Sequence, residues 1–67
     1  MTLRNEIIQA AIMHAEAHIE KHRINVEVFL RKSVGVAGHS DIIDTIELEL
    51  EQMAKYQDQV DILNNYF

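Results

Sequence analysis

His14, His18 and His22 follow one another at intervals of four residues, so on an α-helix they stack along one edge. An i,i+4 pair of imidazoles can fill two positions around zinc or another divalent transition metal, which makes His14, His18 and His22 the candidate metal ligands of the chain. His14 and His22 are two turns, about 12 Å, apart, so one ion takes an adjacent pair and needs a further ligand. His39 or a carboxylate from the second half of the chain could supply it. The run His14-Ala15-Glu16-Ala17-His18 differs from the zinc-protease motif, because Glu16 sits at the wrong offset and points away from the pair. Two other readings fit the same row: a pH-sensitive edge of an interface, and amphipathic side chains packing where apolar and wet surfaces meet.

No other constellation suggests catalysis. The chain has no cysteine, which excludes a thiol nucleophile, a thiolate zinc site and a disulfide framework. Gly35 and Gly38 lack the Lys-Ser or Lys-Thr that would follow in a phosphate-cradling loop. Ser33 and Ser40 are explained as helix-end residues. The carboxylates fall on an open helix face, and so small a domain has little concavity for a substrate. The expectation is a non-enzymatic protein with no catalytic residue and no organic cofactor.

These side chains must be positioned by a short chain. Its 67 residues allow one domain, 1–67, and chains of this size usually need a disulfide, a metal or a partner subunit to be stable. Proline is absent, and the only two glycines lie in Ser33–Ser40, which divides two segments of helical periodicity. Hydrophobic residues make up 48% of the chain, too many for a disordered one. No apolar run approaches the roughly 20 residues of a membrane span, and the opening Met1–Glu6 lacks the order of a signal peptide. A soluble, cytoplasmic protein is the simplest expectation.

The first segment carries two apolar stripes. Ile8, Ile12, Ala15, Ile19, His22, Val26 and Phe29 recur at spacings of four and three, with Ala11 and Leu30 beside them. Leu3, Ile7, Ala10, His14, Ala17, Lys21, Ile24 and Val28 repeat the spacing well over a right angle away, at about 100° per residue. Thr2 is the expected N-cap, Arg31 and Lys32 complement the negative end of the helix dipole, and Gly35 is the expected C-terminal stop, with Val36 folding back on Leu30.

The second segment is expected to start at Ser40 as N-cap, with Asp41 and Asp44 in its first turn. Its inward stripe reads Ile43, Ile46, Leu50, Met53, Val60 and Phe67, with Gln57 and Asn64 in register and Tyr56 and Leu63 beside them. Leu48 and Ile62 lie off it, and the aromatic pair Tyr66-Phe67 is expected to pack. Residues 1–33 sum to +1 and residues 40–67 to −6. That asymmetry favours helix pairing and argues against nucleic acid as a partner, because phosphate binding needs concentrated Lys and Arg.

The fold expected is therefore all-α: an antiparallel two-helix hairpin, about 2–34 and 40–65, forming a four-helix bundle by dimerisation. A hairpin covers one stripe of the first helix and leaves the other bare. Leu3, Ile7, Ala10, Ala17, Ile24, Val28, Leu48 and Ile62 are accordingly the expected contacts of a homo-oligomer, most simply a dimer.

The glycine loop and the acidic helix after it, Ser33-Val-Gly-Val-Ala-Gly-His-Ser-Asp-Ile-Ile-Asp44 and Glu51-Gln-Met-Ala-Lys-Tyr-Gln-Asp-Gln-Val-Asp-Ile-Leu63, resemble pieces of uncharacterised small helical proteins encoded by large tailed phages of marine cyanobacteria. The resemblance covers less than half the chain and brings no catalytic or binding residue. It implies a phage accessory protein in the host bacterial cytoplasm or the virion. The functional expectation is a self-associating interaction or structural module, possible partners being itself and a host or virion protein. The alternatives are a metal-binding or pH-responsive protein using the His row, and an acidic decoy that occupies a basic host surface through its second helix.

Overall fold

A computed structural model describes residues 2–32 and 41–67, the side chain of Lys32 excepted. The expectations for Gly35, Val36, His39 and the Ser40 cap lie outside the described residues. Two helices make up the described chain, α1 from Leu3–Lys32 and α2 from Ile42–Tyr66. They form a hairpin with extents of 53 × 17 × 10 Å. No helix among the described residues is long and apolar enough to cross a membrane.

Thr2 opens α1 as its sequence position predicts. Its Oγ1 accepts a hydrogen bond from Asn5 N at 3.2 Å, which satisfies one of the amides that a helix start leaves free, and its carbonyl accepts the first i→i−4 bond, from Glu6 N at 3.0 Å. The first described cap residue of α2 is Asp41. Its carbonyl receives both the amide and the hydroxyl of Thr45, each at 2.9 Å, so Thr45 closes the first turn twice.

The helices run antiparallel, because contacts pair early residues of α1 with late residues of α2. Arg4 Nη2 donates to the Phe67 carbonyl at 2.8 Å at one end, and Asn25 meets Glu49 toward the other. The seam on α1 is the stripe read from the sequence: Ile8, Ile12, Ile19, His22, Val26 and Phe29 are all partly buried around fully buried Ala15. The small side chain of Ala15 lets the two helices approach closely.

The seam on α2 is rotated from the expected stripe. Ile42, Ile46, Glu49, Met53, Tyr56, Val60 and Leu63 line it, whereas Ile43 and Leu50 are 67% and 48% exposed. The physical reason lies opposite: His22 projects into the seam and needs a polar partner, and the rotation brings Glu49 to it in place of Leu50. The side chains of Tyr66 and Phe67 are likewise exposed, contrary to the packed terminus expected, although the Phe67 carbonyl is held by Arg4.

Apart from Ala15, only Val60 is a buried hydrophobic among the described residues, at 7% exposed. Burying one large aliphatic side chain contributes about 1.5–3 kcal/mol, so a seam in which most side chains stay half-wet is a thin core.

Candidate functional site

One side of the seam is an aromatic and imidazole row. The His18 ring stacks on Tyr56 at 4.4 Å between centroids and 9° between planes, and His14 meets His18 edge-on at 4.6 Å. His22 continues the row, 6.5 Å from His18 and 6.3 Å from Tyr56. Lys55 Nζ lies 5.0 Å from the Tyr56 ring centroid, over its negative face. The i,i+4 spacing thus does stack the three histidines, as expected, but each has a different environment: His14 is exposed, while His18 and His22 are partly buried.

His22 is committed to the hairpin itself. Its Nδ1 is 2.5 Å from Glu49 Oε2, with the two side chains only 12% and 20% exposed. A carboxylate accepts, so Nδ1 carries the proton in this contact. Asn25 Nδ2 donates to the other carboxylate oxygen, Oε1, at 3.1 Å. The hydrogen bond from His22 holds the Glu49 carboxyl below the usual carboxylate range, aided by the one from Asn25 and opposed by burial. Burial, followed by the positive neighbours His14, Lys21, His22 and Lys55, pushes His18 below the usual histidine range. The shift favours the neutral imidazole, the form that binds metal.

Among the described residues, no group of three or more His, Asp or Glu is arranged to hold a metal ion within one chain. The pair His14 and His18 is close and turned to the open side, whereas the Nδ1 of His22 is occupied by Glu49. Tyr56, Glu49 and Asn25 are the site residues that sequence reasoning missed. The signal available was His22 itself, a polar residue in an otherwise apolar stripe that demanded a partner across the seam.

Beyond this row lies a broad open face. Leu48 and Ile62 sit on α2 past Tyr56, away from Gln57, and Ile7 and His14 sit on α1 past His18, away from Glu16. Glu16 and Gln57 together line the groove on the opposite side, so both sets belong to one side of the hairpin. All the expected interface residues are exposed: Leu3, Ile7, Ala10, Ala17, Ile24 and Val28 from α1, with Ala17 and Ile24 at the outer edge of the stripe, and Leu48 and Ile62 from α2. The large ones among those on α1 are 46% to 71% exposed.

The chemistry of this face is one-sided. On α1 it reads Leu3, Ile7, Ala10, His14, Ala17, Lys21, Ile24 and Val28, and on α2 Leu48, Gln52, Lys55, Gln59, Ile62 and Tyr66, both at spacings of four and three. None of these positions holds a carboxylate, although the chain has 11. Glu47, Glu51, Asp58 and Asp61 lie on the back of α2, while Asp44 falls in line with Ile62, and Glu6 with Ile24, at the margins of the face. The other side of the seam has two open grooves of about 320 and 250 Å³. The larger, between Asn5, Gln9 and Asn64, has no ionisable side chain in its lining, and the smaller has Glu16 alone.

No protein-family model, no curated protein and no solved structure matches the chain.

Proposed function

We propose that this protein is a non-enzymatic helical hairpin whose function rests on self-association, two copies burying their open apolar faces against each other as a four-helix bundle. The observation that carries the reading is the continuity of that face over both helices, on a hairpin with only two buried hydrophobic side chains among its described residues. From Leu3 to Val28 it runs roughly 38 Å at 1.5 Å per residue, across a hairpin 17 Å wide. Two such faces bury about 1300 Å² in total, within the size of stable specific interfaces.

Charge supports a second copy over an unrelated partner. A chain of net charge −5 repels its own kind, yet the middle of this face carries Lys21 and Lys55, with carboxylates only at its margins, Glu6 in line with Ile24 and Asp44 in line with Ile62. A basic partner would gain nothing there, which separates this reading from the acidic decoy. A C₂ interface uses one patch on both copies, and a face of aliphatic, alanine and glutamine side chains can meet its own copy. The resemblance of Ser33–Leu63 to small cyanophage proteins suggests a phage accessory role for this module, in the host cytoplasm or the virion.

Charge placed on the face tests the reading. Ala17→Glu and Ile24→Glu should each yield a monomer in sedimentation equilibrium under conditions where the parent chain is a dimer. Ile43→Glu, exposed on the other side of the seam, should leave the mass unchanged. If Ile43→Glu disrupts association and Ala17→Glu does not, the interface is elsewhere.

A further inference from the structure

The α1 half of the open face reads alike from both ends. Leu3 and Ile7 at one end match Val28 and Ile24 at the other, with Ala10, His14, Ala17 and Lys21 between them. Its midpoint falls between His14 and Ala17. Antiparallel pairing of two copies of α1 about that midpoint sets Ile7 level with Ile24 of the second copy, and Leu3 level with Val28. Lys21 then meets Ala10, whereas parallel pairing would set Lys21 against Lys21 and bring like charges together.

In the antiparallel register the histidines converge. At 1.5 Å per residue, His14 lies about 2 Å to one side of the two-fold axis and His18 about 4 Å to the other. His14 of each copy therefore stands within about 2 Å, along the helix direction, of the level of His18 in the other copy. Four imidazoles gather about the axis.

Resting on the self-association proposed above, we infer that the dimer completes a divalent transition-metal site on its two-fold axis, with His14 and His18 of both copies as the four ligands. One chain supplies only an adjacent pair, which agrees with the absence of a three-ligand group among its described residues. The stacking of His18 on Tyr56 uses the ring face and leaves its in-plane nitrogen lone pairs free for a ligand bond. Four neutral imidazoles in a closed tetrahedral set suit Zn²⁺ or Co²⁺, and do not suit Mg²⁺ or Ca²⁺, which take oxygen ligands. Lys21 and Lys55 are the cations nearest the pair. They oppose histidine protonation as well as the ion's charge, and both have long exposed stems that can turn away.

The test titrates the metal-free full chain with Co²⁺ and Zn²⁺, alongside sedimentation equilibrium with and without chelator. The expected result is one ion per dimer, with the intense visible absorption of tetrahedral Co²⁺. His14→Ala and His18→Ala should each weaken binding at least about tenfold and remove that spectrum, and His39→Ala should leave both unchanged. Circular dichroism verifies that the variants remain helical, and His14→Asn repeats the test at an exposed position that tolerates substitution. A dimer that binds neither ion overturns the metal site and leaves self-association standing. A chain that stays monomeric with and without metal overturns both. One ion per monomer, or a spectrum that survives His14→Ala, also overturns the site.

Discussion

The contact between His22 and Glu49 does more for the hairpin than its polar character suggests. It supplies a partner to two half-buried groups and, through Asn25, occupies both carboxylate oxygens. Removing one side leaves the other unsatisfied in the seam, the costly case for a buried polar group. His22→Ala is therefore expected to lower the melting temperature by more than His14→Ala, which removes an exposed ring; equal effects in thermal unfolding would show the contact to be idle.

Protonation acts at the same scale. His18 faces His14, Lys21 and His22 on its own helix and Tyr56 and Lys55 across the seam, and its folded value lies below the unfolded one of about 6.5. The unfolded chain thus takes up the proton first, and stability present above that value is lost as pH falls below it. Glu49 is also depressed, so its contribution is present above the normal carboxylate range and is lost as pH falls further. Both have the same sign: the melting temperature should fall steadily from pH 7 to pH 4, and His18→Gln should flatten the upper part of that fall. A melting temperature that rises on acidification from pH 7 to pH 5 would contradict the placement of His18.

At the scale of the elements, the two helices touch through a narrow line of residues. Ala15 is fully enclosed and Val60 nearly so, which makes both sensitive to size. Ala15→Leu has no room for three extra carbons and should cost about 1–3 kcal/mol. Val60→Ala removes two, at about 2 kcal/mol, or roughly 8–16 °C for a domain this small; thermal melts at fixed protein concentration measure both. The α1 seam was legible in the sequence because its apolar positions are unbroken except at His22. The α2 seam was not. A pattern weighted by hydrophobicity prefers Ile43 and Leu50, while the true line passes through Ile42, Glu49 and Tyr56. A helix with apolar residues on several flanks does not state which one faces its neighbour; the demand of His22 for a partner decides it, and that demand lives on the other helix. Thr2 was legible for the opposite reason, since a cap depends only on its own turn.

For the molecule as a whole, the hairpin could be read from periodicity and the two glycines, and so could the bare stripe of α1. That Leu48 and Ile62 extend this stripe onto α2 required the structure, because the side on which they emerge depends on the rotation that Glu49 and Tyr56 impose. The result is a rod with an acidic back on α2 and a wide, mainly apolar open face, and self-association is the role proposed for that face. Sedimentation equilibrium of the full chain in chelator at neutral pH tests this most directly. A mass twice the 7.8 kDa of one chain, falling to one chain in Ala17→Glu, is the predicted result; a cooperatively folded 7.8 kDa monomer at all concentrations would contradict it.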